Sequence, residues 1–210
     1  MQRACTIGEG AGFTLLRSLQ EAVPEERRGS VRFHLMGHSF GCIVVSSMLN
    51  GPRGTGELLK PVDSLTLVQG ALSLWGYCDA IPNMNDQPGY FNKVFSKGKV
   101  RGATITTRSK FDKAVGTFYP LAAGVARQVA FADELPKYGG LGAFGIKGGG
   151  ITLNDLSIRD DKAHYGFAPG QVYNLECTSV IKNGTGASGA HSDIAKPEVA
   201  HAMWEAVIET

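Results

Sequence analysis

The run Gly37-His38-Ser39-Phe40-Gly41 constrains this chain more than any other feature. The residues before it, VRFHLM at 31–36, read as a short strand. The residues after it, CIVVSSML, are stopped by GPRGTG. Their β-branched content suits a strand, but the turn and strand in front of them predict a buried helix. A chain that passes straight from strand to helix must bend sharply. Side chains beside the central residue would collide in that bend, which explains glycine at two-residue spacing. Ser39 is then lifted above the strand end, at a helix N-terminus whose free N–H groups favour developing negative charge. G-x-S-x-G in this setting has the form of a nucleophile turn, with the Phe40 N–H as one oxyanion donor.

The rest of the chain repeats the alternation. Phe13, Leu16, Leu19 and Val23 predict an amphipathic helix over 11–23, closed by Pro24. SLTLVQG at 64–70, VRGATITT at 100–107 and QVYNLEC at 171–177 predict three more strands. Helices are expected at 91–96, across roughly 117–130, and from Pro197 to 209, where proline suits a helix start. Strands alternating with helices specify the α/β class: a three-layer αβα arrangement with a mainly parallel sheet, in a single domain over 1–210. Residues 71–98 and 129–170 are expected as excursions over the site. Trp75, Tyr77, Phe91 and Phe95 in the first of them either line an apolar pocket over Ser39 or pack the segment onto the sheet. Glycine is 28 of 210 residues, about twice the usual ~7%, and its runs at 139–150 and 184–189 read as loops.

A serine needs a base. His38 lies inside the turn and cannot readily reach its neighbour's hydroxyl, so packing or local hydrogen bonding is expected of it. His34 sits in a strand, His201 in the last helix and His164 in a polar stretch, DDKAHYG. His191 follows the last strand in a glycine-rich loop and is the expected base. Asp112 follows the strand at 100–107, at the same sheet edge, and is the expected orienting acid. Asp193 is too close to His191 in sequence, and Glu176 lies inside a strand. The order Ser39, Asp112, His191 is that of an α/β-hydrolase.

Composition removes other classes. The formal net charge of +2 gives no electrostatic footprint for nucleic acid. No apolar run reaches the ~18 residues that cross a membrane. The four cysteines make no C-x-x-C pair, and Cys42 and Cys177 read as small core residues. No metal site is expected, for want of H-E-x-x-H or clustered Cys/His spacing. No cofactor is expected either: the glycine run lacks a P-loop, and GEGAG at 8–12 follows no strand. The N-terminus has no secretory apolar segment, and a cytoplasmic setting is expected.

The sequence resembles the α/β-hydrolase superfamily. The resemblance rests on VRFHLMGHSFG at 31–41, SLTLVQGA at 64–71, VRGATITTRSKFDKAVG at 100–116 and GAHSDIAKPEVAHAMWEAV at 189–207. These look like the fifth to eighth strands of that fold with their helices. The resemblance implies Ser39 as nucleophile, Asp112 as acid and His191 as base, acting on a small acyl-containing substrate, an ester before a thioester or amide. One departure stands out. Only 30 residues precede Val31, room for one helix and not for the family's first four strands. The loop that supplies the second oxyanion N–H is among what they carry. Two expectations follow: weak catalysis, and self-association through the bare strand at 31–36. The alternative is a non-catalytic, truncated hydrolase-like domain acting through that sheet edge.

Overall fold

β2 (Ser64–Val68) is buried at all five residues, as a strand covered on both faces must be. In the computed structural model, which describes residues 2–82, 84–118, 135, 136 and 138–209, it lies inside a five-stranded sheet. The other strands are β1 (His34–His38), β3 (Thr104–Arg108), β4 (Leu153–Ser157) and β5 (Val172–Glu176). Their order is β1-β2-β3-β5-β4, and every neighbouring pair is parallel. The four expected strands are all present. β1 starts later than expected and runs on to His38, so the strand delivers the chain directly into Ser39. β4 was not expected: it lies within 129–170, beyond β5 at the sheet's far edge.

Helices cover both faces. α1 (Gln2–Ile7), a π-helical turn (Gly8–Gly12) and α2 (Phe13–Glu21) form one continuous helical run. The expected helix over 11–23 is therefore the second half of a longer unit. The two glycines let this run lie directly on α3 (Gly41–Asn50). A Cβ on Gly8 would stand 2.4 Å from the Val44 carbonyl oxygen, and one on Gly12 would stand 2.6 Å from Met48 Cγ. Leu16 of α2, Ile43 and Leu49 of α3, and Leu65 and Leu67 of β2 share the core on this face. Buried Lys99 closes the far end of α3, donating to the carbonyls of Leu49 (2.9 Å) and Gly56 (2.8 Å), where the helix end is electronegative.

α4 (Asn92–Ser96) matches the expected short helix, and α5 (Leu141–Phe144) is a short helix inside the glycine-rich stretch. α6 (Pro197–Ile208) begins at Pro197 and packs Val199, Ala202 and Ala206 against Ile105 and Leu175 on the opposite face of the sheet. The helix expected at 117–130 falls mainly outside the described residues. A π-helical turn, Ala114–Phe118, leads towards it. β1 is an edge strand: it pairs with β2 on one side, and Met36 is 59% exposed. Among the described residues, no helix is long and apolar enough to cross a membrane.

Candidate active site

β1 ends where the bend begins. Ser39 has φ +56°, a left-handed conformation that costs a non-glycine residue energy and persists only when its surroundings impose it. They do so here through the end of β2. The Ser39 N–H donates to the Val68 carbonyl (3.1 Å), and the Ser39 carbonyl accepts from the Ala71 N–H (3.1 Å). Gly37 is required by space, since a Cβ would lie 2.5 Å from the carbonyl carbon and oxygen of Gly41. Gly41 is not: a Cβ there meets nothing within 4 Å. The expectation that both glycines avoid a collision therefore holds for Gly37 alone, because Gly41 turns its α-hydrogens outward from the first turn of α3. Phe40 is the N-cap residue of α3, so its N–H belongs to the set a helix leaves without internal partners.

Two loops bring the remaining side chains to Ser39. The loop after β3 carries Asp112, which is 1% exposed. The loop after β5 carries His191. The two are stitched by an isolated antiparallel bridge, Asp112 to Gly189, and by the Ala190 N–H donating to the Phe111 carbonyl (2.9 Å). Gly189 has φ +57°, and a Cβ on it would stand 2.3 Å from that same Phe111 oxygen, so the close approach depends on glycine. Asp193 secures the other side of the loop. Its Oδ2 accepts from the N–H groups of Lys182 (3.0 Å) and Asn183 (2.8 Å). The hydrogen bond from Lys196 holds its carboxyl below the usual range.

The three expected side chains converge. His191 Nε2 lies 2.8 Å from Ser39 Oγ, and His191 Nδ1 lies 2.8 Å from Asp112 Oδ2. The consistent assignment has the Ser39 hydroxyl donating to Nε2 and Nδ1–H donating to the carboxylate. Asp112 Oδ1 accepts from the Val115 N–H at 3.0 Å, which fixes the carboxylate plane. The glycine-rich stretch contributes here too: a Cβ on Gly142 would stand 3.0 Å from Asp112 Oδ2 and 2.7 Å from the Gln69 backbone. Chemically, the arrangement can draw a proton from the Ser39 hydroxyl onto an imidazole and stabilise the cation that results.

The other candidates sit elsewhere. Glu176 accepts from its near neighbour Thr178 (2.9 Å). His34 Nδ1 pairs with Ser64 Oγ at 2.8 Å, and burial lowers its pKa from the ordinary value. Cys42, directly below the bend, donates its thiol to the Gly37 carbonyl (3.1 Å), and burial pushes its pKa up, so it is no rival nucleophile. His38 is close to the site in a way its sequence position did not disclose. Its ring centroid is 5.1 Å from that of His191, and its Nε2–H donates to the His191 carbonyl (3.2 Å).

Among the described residues, the one cluster of three side chains with metal-ligand spacing is His164, Glu205 and Glu209. It lies at the C-terminal end of α6, and both carboxylates are already occupied. His164 Nδ1 bonds both of them, at 2.9 and 3.1 Å, and Glu209 also accepts from the Gly166 and Phe167 N–H groups. Comparison with models of protein families, with curated proteins and with solved structures finds no match to this chain.

Proposed function

We propose that this chain is a serine hydrolase of the α/β-hydrolase type that acts on carboxylic esters. The observation that carries the reading is the pair of 2.8 Å hydrogen bonds joining Ser39, His191 and Asp112 at the end of a parallel sheet. Ser39 Oγ attacks the ester carbonyl, forming the Oγ–C bond while His191 Nε2 takes the hydroxyl proton. The Phe40 N–H bonds the oxygen that becomes negative. The tetrahedral intermediate collapses as its bond to the leaving oxygen breaks, and His191 returns the proton to the departing alcohol. Water, deprotonated by His191, then releases the acid and restores Ser39. Asp112 holds the imidazole in the productive tautomer throughout and is not itself protonated.

Hydrolysis of p-nitrophenyl acetate by the wild-type chain and by Ser39→Ala tests this. Turnover that disappears in the variant supports the reading, and turnover that survives contradicts it. Rates well below ordinary enzyme values of ~1–10³ s⁻¹ are expected, because Phe40 is the one oxyanion donor identified among the described residues and a missing second donor costs about 2.7–4 kcal/mol.

One feature favours a second reading, an interaction module. β1 is an edge strand, and an apolar groove lined by Met36, Ala200 and Met203 runs between it and α6. On this reading the edge pairs with another chain, and light scattering would find a dimer where the hydrolase reading needs only a monomer.

A further inference from the structure

A cavity of about 560 Å³ opens beside the bend, within the range of small-molecule sites. Its walls are almost wholly apolar and include Cys5, Ile43, Leu72, Trp75, Ile81 and Phe91. Three observations place it near the bend that holds Ser39. Ile43 lies in the first turn of α3, four positions after Ser39 in the chain. Leu72 follows Ala71, whose N–H holds the Ser39 carbonyl. The α1–α2 run lies along α3 in the same direction, Gly8 against Val44 and Gly12 against Met48, so Cys5 stands level with the first turn of α3. The cavity is thus bounded by the helix that follows Ser39, the segment that stitches the bend, and α1. Of the four aromatics with two readings, pocket lining or packing onto the sheet, Trp75 and Phe91 line this space. Tyr77 and Phe95 pack into the core, with Tyr77 bonded to Ser46.

We propose that this cavity receives the hydrocarbon chain of the substrate's acyl group, which makes the preferred substrates esters of medium-length unbranched fatty acids. The proposal rests on the hydrolase reading above and names its substrate class. The lining holds no charged side chain that would demand a polar acyl group. Burial of each added methylene against such walls raises kcat/KM until the cavity is full.

The test has two arms that fail separately. In the first, kcat/KM is measured for p-nitrophenyl acetate, butyrate, hexanoate, octanoate and decanoate. A rise of about two- to fourfold per methylene is expected, and in Cys5→Trp, which fills the cavity, the octanoate-to-acetate ratio should fall at least tenfold. A flat profile, or a ratio unchanged by Cys5→Trp, overturns the proposal and leaves the hydrolase reading standing. Should Cys5→Trp not fold, alkylating Cys5 of the folded wild-type chain with N-phenylmaleimide fills the same space, since the other three cysteines are buried. The second arm uses Ser39→Ala with Trp204→Phe, which leaves Trp75 as the sole tryptophan. Titration with decanoate should change its emission saturably, and no change overturns the cavity assignment. Saturable binding without any acetate turnover in the wild-type chain would instead remove the hydrolase reading and keep the cavity as an apolar-chain site.

Discussion

Two histidine–carboxylate pairs in this molecule have nearly the same geometry. His191 Nδ1 meets Asp112 at 2.8 Å, and His164 Nδ1 meets Glu205 at 2.9 Å. Each histidine or its loop is steadied by a second histidine: His38 bonds the His191 carbonyl, and His201 bonds the Ala163 carbonyl beside His164. The differences lie in the surroundings and in the far nitrogen. The His191 side chain is 12% exposed and that of Asp112 is fully buried, whereas the His164 side chain is 77% exposed. His191 Nε2 meets a serine hydroxyl held in a strained bend. The comparison separates structure from chemistry. A histidine on a carboxylate ties together the segments that carry the two side chains; where its second nitrogen also meets a hydroxyl away from bulk water, the low dielectric strengthens the interaction and the imidazole can take a proton.

Asp112→Asn should separate the pairs most. It leaves the shape intact and favours the wrong tautomer of His191, so kcat for ester hydrolysis should fall by roughly 10³–10⁴, while His164→Asn leaves it within a factor of two. Equal losses in steady-state assays would end the distinction. The next effect concerns the bend that gives His191 its third partner. Gly37→Ala should cost about 2–3 kcal/mol by forcing a Cβ into the α3 backbone, against a change within about 0.5 kcal/mol for Gly41→Ala; urea denaturation reads both.

His38→Ala should lower kcat about three- to tenfold, the equivalent of one hydrogen bond of roughly 1 kcal/mol. His201→Ala should cost stability only, so activity loss in both would show that the two supports do the same thing. The smallest effect is that of Glu205→Gln, under about 1 kcal/mol because its partner is largely in water. Burial works to raise the Glu205 pKa, but the His164 hydrogen bond and the Tyr165 N–H outweigh it, so the folded value lies below the ordinary 4.5. A depressed carboxyl stabilises the fold above the unfolded pKa and loses that contribution as pH falls through the folded one. The wild-type advantage over Glu205→Gln should therefore shrink below pH 4.5, as denaturation at neutral pH and near pH 3 would reveal.

Much of this was legible in the sequence because it depends on local pattern. β2, β3 and β5 are short runs dominated by aliphatic, β-branched or aromatic residues, and the bend after β1 advertises itself through glycine spacing. Asp112 and His191 were legible from their place after β3 and β5, which run parallel and end at the same edge of the sheet. β4 escaped because Asn154 and Asp155 interrupt Leu153 and Leu156, as suits an edge strand with one partner. α1 escaped because QRACTI has no helical apolar period; its Ala4 and Cys5 pack on the core just ahead of the turn where Gly8 meets α3. The bond from His38 to His191 joins residues 153 positions apart. It exists only once the last loop has folded back over β1, and no local signal marks it.

On the proposed reading, Ser39 is an activated nucleophile rather than a structural serine in a tight turn. Fluorophosphonate labelling of the native chain, followed by peptide mapping, tests it most directly, with Ser39→Ala and heat-denatured protein as controls. A single adduct on Ser39 is expected, lost in both controls and greatly slowed in Asp112→Asn. Folded protein that takes up no label, or labels equally well after denaturation, would contradict it.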